Sequence, residues 1–210
     1  MLRELWMRLI LGLAKRRKRP ANLNALYVLE DPWNMNSDLE TYRFERTNAY
    51  ILEETGHVGS MLEIGSGEGH QSEYLRKICD RLVGIEASEK AVERARHRLP
   101  EATFVVGDLS SAPRLVSDRF DLVVAFEVLY YLPEPADAVR ALRQLGTVFV
   151  ASCYHDEYAR VAGAIFTVLP DARESKIVFG ETTWHFFISK TAAAVSESRG
   201  EPDPNRDRLS

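Results

Sequence analysis

Four carboxylates in this 210-residue chain stand at matching places in short apolar runs: Glu63 in MLEIG, Glu86 in RLVGIE, Asp108 in ATFVVGD and Glu127 in FDLVVAFE. Behind the first run come Gly65, Gly67 and Gly69, with Ser66 between the first two. Glycines at alternate positions let a ligand approach bare backbone. The spacing of a dinucleotide fingerprint would require a third glycine at residue 70, five places after Gly65, and residue 70 is His. The pattern for a pyrophosphate is therefore absent, and a cofactor without phosphate is expected. Glu86, about 20 residues beyond the glycines, suits a ribose diol. The Asp108 carboxylate can accept from an exocyclic adenine amine, and the Leu109 backbone N–H can donate to a ring nitrogen. Grouped carboxylates repel one another unless a cation or several donors share the site. The ligand that fits is a nucleoside with a fixed positive charge.

The elements that must position these groups alternate. Strand-like runs fall at 60–65, 81–86, 102–108, 120–127 and 147–154, and two short strands flank Gly180. Between them lie amphipathic stretches at 70–80, 89–99, 135–145 and 157–169, the second opened by Ser88 as an N-cap and closed by Pro100. A helix is predicted over 38–54, with Leu39, Tyr42, Arg46, Ala49 and Tyr50 on one face. Such alternation predicts an α/β fold: a Rossmann-like seven-stranded mixed sheet, its last strand antiparallel, with helices on both faces. Ligands in such folds bind beyond the carboxyl ends of the strands.

S-adenosylmethionine matches the expected ligand: a sulfonium, a ribose diol, an adenine and an amino acid. EIGSGEG, the acid of GIE, GDL and FDLVVAFEVLYYL, in that order, resemble the successive motifs of class I S-adenosylmethionine-dependent methyltransferases over about residues 45–150. The resemblance implies an enzyme with S-adenosylhomocysteine as by-product. It implies that Glu63 and the Gly65–Gly69 turn, with Ser66, meet the methionine part, that Glu86 meets the ribose, and that Asp108 and Leu109 meet the adenine. Glu127 faces the same crevice. Arg46 either pairs with the methionine carboxylate or forms a surface ion pair. Other readings keep the fold as a non-catalytic binding subunit, or as a protein or RNA methyltransferase recruited through the basic N-terminus.

The acceptor is less directly written. FEVLYYLPEP stands where amine-modifying nucleic-acid enzymes of this superfamily carry Asn/Asp-Pro-Pro-aromatic, which argues against DNA or RNA. DPWNMNSDLETYRFERTNAYIL (31–52) resembles the nodulation-protein-S group of N-methyltransferases, with Phe44-Glu45-Arg46 where that group tends to have Tyr-Glu-Arg. A small polar acceptor is expected, methylated on N or O, with an amino sugar or oligosaccharide as one form. Phe44, Tyr130, Tyr131 and Tyr154 are candidates for its pocket. Tyr42 and His155 are candidates for catalysis, with His155 read as either a base or an exposed histidine without a role. Trp33 is read as a sugar-stacking or packing residue, Trp184 and Phe186 as core. No metal ligands are assigned.

Seven of the 27 Lys and Arg residues fall in residues 1–19, against one of the 31 acids, so the rest of the chain is anionic and ill-suited to nucleic acid. Residues 1–19 read as a basic amphipathic segment, suited at most to weak membrane or partner contact. Residues 20–190 read as the methyltransferase domain, and 191–210 as a disordered tail. Cys79, read as helical, and Cys153, at a strand end, form no metal or disulfide pattern and suit a reducing cytoplasm.

Overall fold

A computed structural model describes residues 23–109 and 111–191. The readings of residues 1–19 and of 192–210 lie outside the described residues. After one helical turn at Leu23–Leu26 come helix α1 (Asp38–Thr55), strand β1 (Val58–Ile64), a short helix α2 (Ser72–Leu75), β2 (Cys79–Glu86), α3 (Glu89–Arg98), β3 (Thr103–Val106), β4 (Phe120–Phe126), α4 (Pro135–Arg143), β5 (Gly146–Tyr154), α5 (Tyr158–Val168), β6 (Arg173–Phe179) and β7 (Thr182–Lys190). The strands form one sheet in the order β3-β2-β1-β4-β5-β7-β6. β1 to β5 pair in parallel, and β7 is antiparallel to both its neighbours. The expected seven-stranded mixed sheet with an antiparallel last strand is thus the observed one.

The period of two along each strand feeds two cores. Leu62, Ile64, Val123 and Ala125 join Val139, Leu142, Val161 and Ile165 of α4 and α5 on one face. Met61, Leu122 and Val124 join Ile51, Leu75, Val92 and Ala95 of α1, α2 and α3 on the other. Burial on both faces is why the central strands read as unbroken apolar runs. Ser37 and Ser88 cap α1 and α3 by accepting from the N–H groups of Glu40 and Ala91. Pro135 sits in the first turn of α4, where its missing N–H costs nothing.

Two local readings change. The amphipathic stretch at 70–80 holds only α2 and a 3-10 turn (Arg76–Ile78), and Cys79 opens β2 instead of lying in a helix. On α1 the buried residues are Glu40, Arg43, Phe44, Thr47 and Ile51, a face rotated from the one expected, because it carries a buried ion pair that hydropathy does not mark. Both cysteines are buried and free. Burial pushes their thiols up, Cys79 to about 11 and Cys153 to about 12, which leaves them poor nucleophiles.

Candidate active site

The chain turns back at β1, which has β2 on one side and β4 on the other. At such a switch point the loops leaving the two strands part and open a crevice. A cavity of about 1230 Å³ lies there. Its walls include Glu63, Gly65, Ser66, Gly67, Glu86, Asp108, Leu109, Glu127, Tyr130, Tyr131 and Tyr154. Sequence reasoning therefore brought together eleven residues that share one cavity.

The glycine turn has two jobs. Gly65 and Gly67 line the cavity with φ of 76° and 54°. A Cβ at Gly65 would meet Val128 Cγ2 at 2.9 Å, and one at Gly67 would approach the Tyr27 hydroxyl at 3.1 Å. Gly69 does not line the cavity. Its Cβ would stand 3.2 Å from Ala95 of α3, so it allows helix and turn to pack.

Each acid is held differently. The Glu86 carboxylate accepts from the N–H groups of Gly67 (3.1 Å) and Ser88 (2.9 Å), and burial pushes its pKa up against those bonds. Glu63 is 3% exposed, and the Ser72 hydroxyl donates to it. Burial lifts its carboxyl to about 7, against the pull of Ser72 and Arg43. Asp108 accepts from Ser111 N at 2.8 Å, which ties down the turn after β3. Glu127, with φ of 54°, accepts from Ser152 Oγ (2.7 Å), Tyr154 N (3.0 Å) and Tyr130 OH (3.4 Å). Burial raises its pKa as well, with Arg43 opposing.

Sequence reasoning missed the group that joins the two halves of the cavity. Arg43 Nε donates to Glu40 at 2.7 Å and Arg43 Nη1 to Gln71 Oε1 at 3.0 Å, while the Tyr154 hydroxyl donates to the other Glu40 oxygen at 2.7 Å. Glu40, Arg43 and Gln71 all line the cavity. The Glu-Arg pair that faces it is thus Glu40–Arg43, not Glu45–Arg46. The signal in the sequence was the i, i+3 spacing of opposite charges on a helix. Ser66 Oγ and Gln71 Nε2 are buried without a partner. Two such groups in one wall fit a ligand with an amino-acid end, whose carboxylate and ammonium could satisfy them.

Five expected residues lie elsewhere. Arg46 is exposed and does not reach the cavity. Phe44 is buried against Tyr74, with ring centroids 5.3 Å apart, and Tyr42 packs on Phe179. His155 is exposed and bonds His185 Nε2 at 2.9 Å instead of lining the cavity. Gly69 is the fifth, as described above. Trp33 lines the cavity 5.9 Å from the Tyr131 ring, and Trp184 and Phe186 are core.

Asp31, Glu68 and His70 place one potential ligand atom each within 4.8 Å of one another. Arginines already occupy this cluster. Arg94 bonds Glu68, and Arg98 Nη2 lies 3.3 Å from His70 Nε2. Burial works to raise the Glu68 carboxyl, but bonds from His70 and Arg94 outweigh it and hold it below its ordinary value. Asp31 N also donates to Glu68 at 2.8 Å. The cluster fastens the segment carrying Asp31 and Trp33 over the glycine turn.

Residues 62–148 match the methyltransferase domain family. Nodulation protein S of Bradyrhizobium diazoefficiens is 30% identical over 120 residues, covering 56% of this chain and 57% of that protein. The ubiquinone biosynthesis O-methyltransferase of Pseudomonas aeruginosa is 30% identical over 112 residues, 49% of this chain and 48% of that protein. The chain thus spans about half the length of these curated relatives. Among solved structures, the N-methyltransferase NodS from Bradyrhizobium japonicum WM9, in complex with S-adenosylhomocysteine, superposes with a TM-score of 0.66 at 23% identity, covering 79% of this chain and 94% of that one. Family match and shared fold establish the resemblance to class I S-adenosylmethionine-dependent methyltransferases that the motifs carry. The fainter likeness to nodulation protein S is found as well.

Proposed function

We propose that this chain, whose residues 62–148 match a methyltransferase domain, transfers a methyl group from S-adenosylmethionine to a small polar acceptor, on N or O. The observation that carries the reading is the meeting of bare glycine backbone and strand-end carboxylates in one cavity at the β1–β4 switch point. S-adenosylmethionine supplies a methyl already activated on a sulfonium, so the protein's task is chiefly alignment, worth about 7–11 kcal/mol in favourable cases. Glu86, held by hydrogen bonds from the backbone N–H groups of Gly67 and Ser88, is suited to accept from a ribose diol. Asp108 and Leu109 stand where an adenine would lie. Arg43, Gln71 and Ser66 are placed for the carboxylate of the methionine part, and Glu63 for its ammonium. Glu127, Tyr130, Tyr131 and Tyr154 face the remaining space. Pockets of about 300–1,000 Å³ hold one drug-sized ligand, so 1230 Å³ leaves room for an acceptor beside the cofactor. The N-methyltransferase NodS and the ubiquinone O-methyltransferase support small-molecule acceptors, and an amino sugar suits the former likeness.

The test is titration calorimetry with S-adenosylmethionine and S-adenosylhomocysteine. Wild type is expected to bind both. Gly67→Val places a branched side chain at φ of 54° beside Tyr27 and is expected to abolish binding. Absence of binding by wild type, or micromolar binding by the variant, would overturn the assignment. No helix among the described residues is long and apolar enough to cross a membrane.

A further inference from the structure

We infer that this protein docks reversibly on an anionic lipid surface, through the basic amphipathic residues 1–19 and the apolar rim next to them, with the mouth of the cavity turned to the bilayer. The docking does not depend on the reaction proposed above.

The sequence of residues 1–19 carries both parts of an interfacial contact. Leu2, Leu5, Trp6, Leu9 and Leu13 recur at helical spacing, and Lys15 to Arg19 are five unbroken cations. Asn24, five residues beyond Arg19, lines the cavity, so even a fully extended chain keeps Arg19 within about 18 Å of that wall. The fold presents apolar surface at the same place. Val28 and Leu29 are exposed and lie between Tyr27 and Trp33, which both line the cavity. Tyr131 is exposed as well, lines the cavity and stands 5.9 Å from the Trp33 ring. Tyr and Trp suit a membrane interface, since each has an apolar body and a polar tip.

Charge decides which side meets the lipid. Residues 1–19 hold seven cations against one acid, and the rest of the chain holds 20 against 30, which is 27 less 7 and 31 less 1. An anionic surface therefore attracts residues 1–19 and repels the remainder. Glu30 and Glu134 are exposed beside the rim, so the rim depends on the basic run to bring it down. Arg94, the cation next to Leu29, is already bonded to Leu29 O and to Glu68. The contact is salt-sensitive, because the Debye length at physiological ionic strength is about 8 Å. A nucleic acid would satisfy the cations but leave the leucine stripe and the apolar rim in water, and the acidic remainder would repel it.

The test is sedimentation of the full chain with vesicles of phosphatidylcholine, alone or mixed with phosphatidylglycerol. The protein is expected to pellet with the mixed vesicles, not with phosphatidylcholine alone, and to be released as salt is raised. Lys15→Ser, Arg16→Ser, Arg17→Ser, Lys18→Ser and Arg19→Ser, made together, are expected to lower partitioning at least about tenfold while the thermal midpoint holds. Orientation is read with a polarity-sensitive dye attached at Val28→Cys or at Val178→Cys. The two valines are about equally exposed, at 52% and 54%, and Val178 lies on β6, at the sheet edge opposite β3. Both native thiols are buried. On mixed vesicles a blue shift is expected at residue 28 and not at residue 178. No pelleting with the mixed vesicles, equal pelleting with phosphatidylcholine alone, partitioning that survives the five substitutions, or a shift at residue 28 no greater than that at residue 178 would overturn the inference. Tighter binding of single-stranded oligothymidylate than of mixed vesicles would overturn it in favour of nucleic acid.

Discussion

The cofactor half and the acceptor half of the cavity are built by different means. The first comes from consecutive βα turns, each delivering a glycine backbone or a carboxylate from a strand end. The second is assembled across the chain: Tyr154 reaches Glu40 over 114 positions, and Glu127 takes its donors from Ser152 and Tyr154 of the next strand. A half made of local turns is written in linear motifs. A half made of side chains from remote segments is written only in the fold.

Mutations can break this contrast, and the largest effect is expected at the joint. Arg43→Ala leaves Glu40 buried at 5% exposure without its cation. Breaking a buried pair from one side costs about 3–5 kcal/mol, so chemical denaturation should show a loss of that order. Glu40→Gln in the same chain should restore much of it. No loss would mean that the two halves are joined by something other than this pair.

Next in size is the response of Glu63 to pH. Its carboxyl sits at about 7 in the fold against an ordinary 4.5. Between those values it is neutral when folded and charged when unfolded. The stability it supports is full below 4.5 and is lost as pH rises through 7, a span worth about 3 kcal/mol. The cofactor-free protein should therefore lose stability from about pH 5 to about pH 8. A cofactor ammonium favours the ionised form, so cofactor affinity should rise over the same range. In Glu63→Gln both trends should flatten. An unchanged pH profile would remove Glu63 from the cofactor half.

Glu86→Ala should weaken cofactor binding by about 1–3 kcal/mol, the cost of hydrogen bonds to a charged group, read by calorimetry. An unchanged dissociation constant would contradict the ribose role. The smallest effect is expected at Arg46→Ala, within about 0.5 kcal/mol in stability and with unaltered cofactor affinity. A larger change would mean that Arg46, one turn along α1 from Arg43, shares its work.

The contrast also explains what the sequence disclosed. Apolar runs ending in acids revealed the parallel strands, because burial on both faces leaves little room for alternation. The helix at 38–54 was equally legible, but its orientation was not. The expected stripe ran through Arg46, whereas Glu40 and Arg43 are the charged residues that face inward, because each satisfies the other. The likeness of Phe44-Glu45-Arg46 to a Tyr-Glu-Arg motif pointed to Arg46 and passed over Arg43. His155 was singled out as a strand-end histidine, yet its partner His185 lies on the antiparallel strand, in a pairing that no local pattern announces. Gly69 looked like part of the cofactor cradle, and only the packing of Ala95 shows its other task.

The antiparallel course of β7 sends the chain back across the sheet. Thr191 N donates to Thr147 O, at the amino end of β5, on the rim opposite the cavity. Asn24 and Leu26, near the other end of the described fold, are themselves part of the cavity wall. A surface tether placed at residue 191 would hold the protein with its mouth turned outward, whereas one at residue 24 would crowd that mouth.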